Sequence, residues 1–208
     1  MVRIKDYEVA FLERAKRAIK NSYVVDINTS EGEAAKGAKV LGSNMQPHQS
    51  HDAFLKGIAV WVDMVYNSSF MPEFQRYHFN EIVMSTSTMH SLGKMIETEN
   101  VDIYSKYVTE ETKKEVNRLY QLWLNAKASG NKDLIYDAYI TLCHNLPRGL
   151  ELQCSFTTNY LQLKTMVIQR WKHPQKEDWK TFVSFCFSLP EFKELCGFEG
   201  PEWDLETW

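Results

Sequence analysis

Cysteine is scarce and unpaired in this 208-residue chain. Cys143, Cys154, Cys186 and Cys196 form no C-x-x-C pair and sit in no histidine-rich cluster, which argues against a thiolate zinc site. Each lies in an apolar neighbourhood, the setting of a buried free thiol, and the pattern fits a reducing, intracellular compartment. Long apolar runs are also missing. The longest, "IAVWV", is far too short to span a bilayer, and the first twenty residues carry charges throughout with no apolar core of a signal peptide. Neither sign of charge dominates. The net charge of −3 argues against a nucleic-acid polymer as partner, while leaving room for a local cationic pocket that holds one small anion. G-x-G-x-x-G, the P-loop and G-x-S-x-G are all absent, which disfavours a Rossmann dehydrogenase, a P-loop kinase and a typical serine hydrolase.

What is present is an ordinary globular composition, 44% hydrophobic and 25% charged. The expectation is an α/β (α+β) protein, one helix-rich domain over 1–208 with a small central sheet and a core over about 47–190. An amphipathic helix is expected from Asp6 to Asn21 and a short one around Glu33 to Leu41. "IAVWVDMVY" reads as a strand, apolar on both faces. "QRYHFNEIVMSTSTMHSLGKM" has no clean period and reads as irregular structure leading to a short helix near Met89. Thr109 can cap a helix with Val116, Leu119, Tyr120, Trp123 and Leu124 at helical spacing. "ASGNKD" breaks it, a second helix opens at Lys132 or Asp133, and "NLPRG" ends that one. "LELQCSF" reads as a short strand, followed by helices from about Thr158 to Trp171 and from Gln175 to Phe187.

The helix near 158–171 poses the sharpest question. On a wheel of 100° per residue, Tyr160, Leu163, Met166, Val167 and Trp171 make an apolar stripe, and Asn159 and Arg170 fall inside it. Gln162, Thr165, Gln169 and Lys172 take the outer face. A buried, unpaired guanidinium would cost several kcal/mol, so three readings stay open: a structural salt bridge, an arginine folding back to solvent from the last turn, or a ligand with anionic and carbonyl groups. "PHQSHDAF" places His48 and His51 three apart, but no further ligand accompanies them, so no metal is expected. A loop histidine can touch a phosphate or a flavin, or simply face water. "RYHFNEIVMSTSTMH" gathers Arg76, His78, Ser85, Ser87 and His90 directly after a buried strand, where ligands collect on rigid scaffolds.

Taken in order, these segments resemble the flavin-dependent thymidylate synthases, and more closely a divergent bacteriophage branch of that superfamily. The resemblance spans roughly Pro47 to Pro190. Its best stretch runs from Leu146 and Pro147 through Thr157, Asn159 and Leu163 to Arg170, with "HPQKEDW" similar to the family's Gln-x-Glu segment. "HQSHDAFLKGIAVWVDMVY" looks like the family's histidine-bearing loop and strand. Gln75 to His90 occupies the place of its R-H-R signature.

The resemblance implies an α/β fold, FAD as cofactor, and a homotetramer with active sites between subunits, working in the cytoplasm of a phage-infected host. It implies reductive C5 methylation of dUMP or a related pyrimidine nucleotide, with methylenetetrahydrofolate and NADPH as co-substrates and no cysteine nucleophile. Arg170 matches the arginine that binds and polarises the nucleotide, which makes it the catalytic candidate. Arg76 and Arg148 are further substrate-binding candidates, and His51, Asn159, Ser85, Ser87 and His90 are the cofactor-binding ones. The departures are equally specific: the R-H-R signature is broken, and Leu161 and Cys143 stand where the family has arginines. Each lost phosphate contact is worth on the order of 1.5–3 kcal/mol, which Arg76, Arg148 or Lys164 would have to supply instead. Two alternatives stand beside the enzyme: a catalytically altered flavin- or nucleotide-binding phage protein, and a structural or interaction protein with no ligand.

Overall fold

The computed structural model describes residues 1–22, 40–43, 52–98 and 103–208. The expected helix around Glu33 to Leu41, and His48 and His51, lie wholly or largely outside them. Four strands, β1 (Arg3–Ala10), β2 (Ala59–Asn67), β3 (Glu81–Ser85) and β4 (Glu151–Asn159), form one antiparallel sheet in the order β1-β2-β4-β3. The helices are α1 (Leu12–Ala18), α2 (Met71–Phe74), α3 (Thr88–Glu97), α4 (Glu110–Ser129), α5 (Lys132–His144), α6 (Tyr160–Arg170), α7 (Lys176–Ser188) and α8 (Phe192–Cys196).

The register of the central strands follows from their bonds. Asp63 Oδ1 accepts from Ser155 Oγ at 2.6 Å, and beyond the strand ends Tyr160 N–H donates to Ile58 O and Ser69 N–H to Arg148 O. Numbers rise along β2 as they fall along β4, as an antiparallel pair requires. Across the other side of β4, Thr86 pairs with Gln153 and Thr158 with Phe79 in the same opposed sense. Val60, Val62 and Met64 of β2 are buried, and from Val65 to Asn67 both faces are covered.

The chain forms two compact units. One comprises Met1, Val65–Phe74 and Met84–Cys154; the other comprises Val2–Met64, Gln75–Val83 and Ser155–Trp208. In the first, α4 and α5 make a helical hairpin whose ends are chemically marked. Thr109 Oγ1 accepts from Thr112 N–H, Gly130 takes the left-handed conformation (φ 68°) that closes α4, and Asn131 Oδ1 caps α5 by accepting from Asp133 and Leu134 N–H. Here the caps read from sequence hold to within a residue or two.

Four expectations are corrected. The stretch after Gln75, expected to be irregular, holds strand β3 over Glu81–Ser85, which pairs beside β4. The N-terminal helix is a strand over its first half. Phe11 sits at φ 67° and breaks the chain, so helix begins only at Leu12. As an edge strand β1 leaves its charged side chains in water, while Tyr7 packs edge-on against Phe185 of α7 at 5.4 Å; tertiary pairing overrides the helical pattern. The strand after Gly149 runs on to Asn159 rather than Phe156, because Thr158 Oγ1 donates to Phe79 O at 2.8 Å and Asn159 itself is extended (φ −143°). Asn159 is therefore the cap of α6, accepting from Gln162 N–H at 2.9 Å, and does not share a helical face with Arg170. Gln162, expected outside, is buried, and its Oε1 accepts from Phe79 N–H.

Helix α6 is enclosed on nearly every side: Tyr160, Leu161, Leu163, Met166 and Val167 are all buried, as is Lys164 at 0% exposure. The Lys164 ammonium donates to Gly42 O at 2.6 Å and lies 3.5 Å from the Asp52 carboxylate, itself 3% exposed. Gly42 must be glycine, since a Cβ there would collide with the Leu195 carbonyl. Burial pulls the Lys164 ammonium below its ordinary value, against the opposing influence of Cys196 and Asp52. Lys164 thus cannot serve as the substitute phosphate ligand considered from sequence. Cys154, Cys186 and Cys196 are buried free thiols, and Cys143 is half-buried and free.

Two outcomes follow for stability. Replacing Lys164 with Met, which leaves the Asp52 carboxylate buried without its counter-charge, lowers unfolding free energy by roughly 3–5 kcal/mol in urea titrations, and adding Asp52→Asn recovers much of the loss. In the hairpin unit, the buried Tyr120 hydroxyl donates to Glu97, and burial together with that carboxylate raises its pKa from 10.0 to about 12. Between those values the native state holds a proton that the unfolded chain has released. Stability therefore falls as pH rises through this window, and Tyr120→Phe flattens that part of the slope.

Candidate functional site

Arg170 is the last residue of α6, and three side chains hold it. Its guanidinium lies over the Trp179 ring at 4.8 Å and beside the Tyr77 ring at 5.6 Å, while Nε donates to Tyr77 Oη at 2.8 Å. Trp179 is fully buried on α7 and Tyr77 is buried in the segment before β3. The two rings hold a half-buried cation, an attraction worth roughly 0.5–2 kcal/mol per ring. The guanidinium lies over the buried Trp179 ring.

The third holder is His173. Lys172, at φ 56°, takes the left-handed turn that stops α6, and His173 N–H donates back to Arg170 O at 3.1 Å. The ring then lies beside the guanidinium, with Nε2 3.3 Å from Arg170 Nη1. Its other nitrogen, Nδ1, accepts from Gln175 N–H at 3.1 Å. The ring thus meets the guanidinium at one nitrogen and the Gln175 backbone at the other, which fixes its orientation beside Arg170. Gln175 Nε2 in turn donates to Asp178 Oδ2 at 2.7 Å, and Asp178 Oδ1 accepts from Val2 N–H at 2.7 Å. The segment behind the histidine is thus tied into the fold.

In the same unit, Asn159 is half-buried at the strand-to-helix junction. Its oxygen caps α6, so the amide NH₂ is the end left to meet a ligand. Arg76 and His78 are exposed, and the guanidinium of Arg76 is not part of the cluster around Arg170. In the hairpin unit, Ser85, Ser87, His90 and Arg148 are all exposed. Ser87 is the N-cap position of α3, where its backbone carbonyl, not its hydroxyl, accepts from His90 and Ser91 N–H. His51 falls outside the described residues. Among the described residues no group of three or more metal-ligating side chains comes together, and no helix is long and apolar enough to cross a membrane.

Sequence reading singled out Arg170 and missed its holders. The His-Pro pair directly after the helix was a usable signal for His173. Nothing local marks Tyr77, which lies 93 residues away.

No protein-family model matches the chain, and no curated protein does. Solved structures do. Thymidylate synthase X from Helicobacter pylori, crystallised with FAD and dUMP, aligns with a TM-score of 0.62 at 12% identity, covering 94% of this chain and 95% of that one. A second structure of the flavin-dependent enzyme from that organism, also with FAD and dUMP, aligns with a TM-score of 0.58 at 13% identity, covering 94% and 96%. At such identities the likeness is one of fold: this chain has the mixed α/β fold of the flavin-dependent thymidylate synthases.

Tyr77→Phe removes the oxygen that accepts from Arg170 Nε. A hydrogen bond to a charged group contributes roughly 1.5–3 kcal/mol, so the variant unfolds at lower urea, and the Arg170 Nε–H signal in nitrogen-15 NMR loses its protection from solvent exchange. Unchanged protection would show that the ring, not the hydroxyl, holds the arginine.

Proposed function

We propose that the chain is a flavin-dependent thymidylate synthase-like protein of divergent, bacteriophage type that alkylates C5 of dUMP or a related pyrimidine nucleotide, with Arg170 on the pyrimidine. The supporting observation is the half-buried guanidinium of Arg170 at the end of α6, braced by Tyr77 and Trp179 and flanked by His173. A uracil ring offers carbonyl oxygens of the kind a guanidinium holds, and such a charge makes the ring more electrophilic. We read the chain as one working domain, since β2, β3 and β4 each carry residues of both compact units.

The donors at hand also suit a flavin. The amide NH₂ of Asn159 is a hydrogen-bond donor, and the polar rim of a flavin is rich in acceptors; Asn159 would hold it. When bound, the flavin would supply the hydride, with NADPH as reductant and methylenetetrahydrofolate as carbon donor. The residues bind, orient and polarise. Arg170 carries fixed charge, His173 is a positioning residue for it, and Tyr77 and Trp179 keep the guanidinium from swinging away. Cys186 and Cys196 need no part, since burial raises their thiol pKa far from the reactive range. The two fold relatives were each crystallised with FAD and dUMP, and their shared fold supports carrying both ligands over. Ser85, Ser87, His90 and His51 remain candidates for the flavin, Arg76 and Arg148 for the phosphate, and a homotetramer is the proposed assembly.

The favoured alternative within this fold is a protein that binds flavin or nucleotide without turnover, because Leu161 is buried and carries no charge where the family has an arginine. Native mass spectrometry of freshly purified protein, followed by assay with dUMP, NADPH and methylenetetrahydrofolate, separates the two. Bound flavin with thymidylate formation is the expected result, and Arg170→Lys, which loses the planar fork, lowers turnover by about 10²-fold. Flavin without turnover would select the binding protein. Absence of both flavin and dUMP binding would sink the proposal.

A further inference from the structure

In the hairpin unit, a cleft of about 670 Å³ opens between α3 and the α4–α5 hairpin, within the range of roughly 300–1,000 Å³ typical of small-molecule sites. Its walls are aromatic. Trp123 and Tyr139 pack with centroids 4.8 Å apart, and Tyr136 is 65% exposed at the rim. Gly93 lets the α3 backbone come close: a Cβ there would press on the Trp123 ring at 3.1 Å. The Tyr139 hydroxyl is spent on the carbonyls of Thr88 and Met89, which ties α3 to the hairpin. The indole N–H of Trp123, buried in this wall, has no acceptor among the described residues.

Charge singles the cleft out further. Lys94 of α3, Lys127 of α4 and Lys132 of α5 line it, and none of the three ammonium groups pairs with a described carboxylate. Lys127 Nζ lies 4.2 Å over the Trp123 ring. The one carboxylate of the lining, Glu97, already accepts from Tyr120. Three cations from three helices thus face one aromatic cleft in a protein whose net charge is −3. Like charges gathered this way repel, and an anion removes the repulsion.

We propose that this cleft binds a flat aromatic anion of the nucleotide class, its ring on the Trp123–Tyr136 side and its phosphate among Lys94, Lys127 and Lys132. The cleft lies within the hairpin unit, and its case does not depend on the reading given to Arg170; His90, one of the flavin candidates, also lines it. The test uses the full chain labelled with 5-fluorotryptophan, whose six tryptophans give separate fluorine NMR signals. Trp123→Phe and Trp179→Phe assign the two that matter. On titration with AMP, the Trp123 signal shifts and saturates. Adenosine and inorganic phosphate, each carrying half of the chemistry, do not reproduce the shift at the same concentration. Changing Lys94, Lys127 and Lys132 together to Gln, all on the surface, weakens AMP binding at least about ten-fold while leaving circular dichroism unchanged. The proposal is overturned if Trp123 stays still at millimolar AMP, if either half-ligand shifts it as far, or if the triple variant binds equally well. A shift of Trp179 without Trp123 would support ligand binding beside Arg170 and reject this cleft.

Discussion

A helix covered on nearly every side must find a partner inside the protein for each polar atom it carries. Helix α6 lives under that constraint, and much of its surroundings answers to it. Asn159 caps its first turn, Gln162 reaches the backbone of Phe79, and Lys164 is met by Gly42 and Asp52. Each of these partners comes from a different part of the chain, so the helix cannot slide or rotate without stranding a donor or a charge. Arg170 ends the same helix at the point where enclosure gives way. It is half-buried, braced by Tyr77 and Trp179 and flanked by His173. Two cations on one helix are thereby sorted by depth: the inner one is structural, and the outer one has the setting of a binding group.

The bracing matters chemically because an arginine side chain is long and loses much conformational freedom when held. Here that loss is met by the fold rather than by a ligand. Contact with a buried indole and the bond from Nε to Tyr77 hold the guanidinium, and the left-handed turn at Lys172 brings His173 beside it. A non-glycine residue in that turn is mildly strained, and the strain sits beside the candidate site, where such strain commonly gathers. The hairpin unit follows another logic. Its caps and apolar seam secure two helices and α3, and Lys94, Lys127 and Lys132 line an aromatic cleft with no described carboxylate paired to them.

Legibility in the sequence followed the range of the interactions. Helices α4, α5 and α7 and strand β2 could be read from spacing, hydroxyl and amide caps and β-branched content, because those signals act over a few residues. The N-terminal segment misled, since its apolar spacing fits a helix until the neighbouring strand claims the backbone. The boundary between β4 and α6 misled by three residues for a similar reason: Thr158 is held extended by Phe79, 79 residues away. Arg170 was conspicuous as a charge inside an apolar stripe, yet Asn159, placed on that stripe by the wheel, turned out to be a cap.

By itself, the sequence determined that the chain folds as a mixed, helix-rich protein with a small sheet, that it carries no long apolar run, and that one arginine near residue 170 stands out of pattern. Those facts are encoded in composition and in spacings of two to four residues, which local backbone geometry translates directly. Only the tertiary structure decided that Lys164 is sealed with Asp52 while Arg170 lies on Trp179 and Tyr77, and that three lysines from three helices share one cleft. The physical reason is distance along the chain: burial and partnering join residues tens to more than a hundred positions apart, and no local period records which of them will meet.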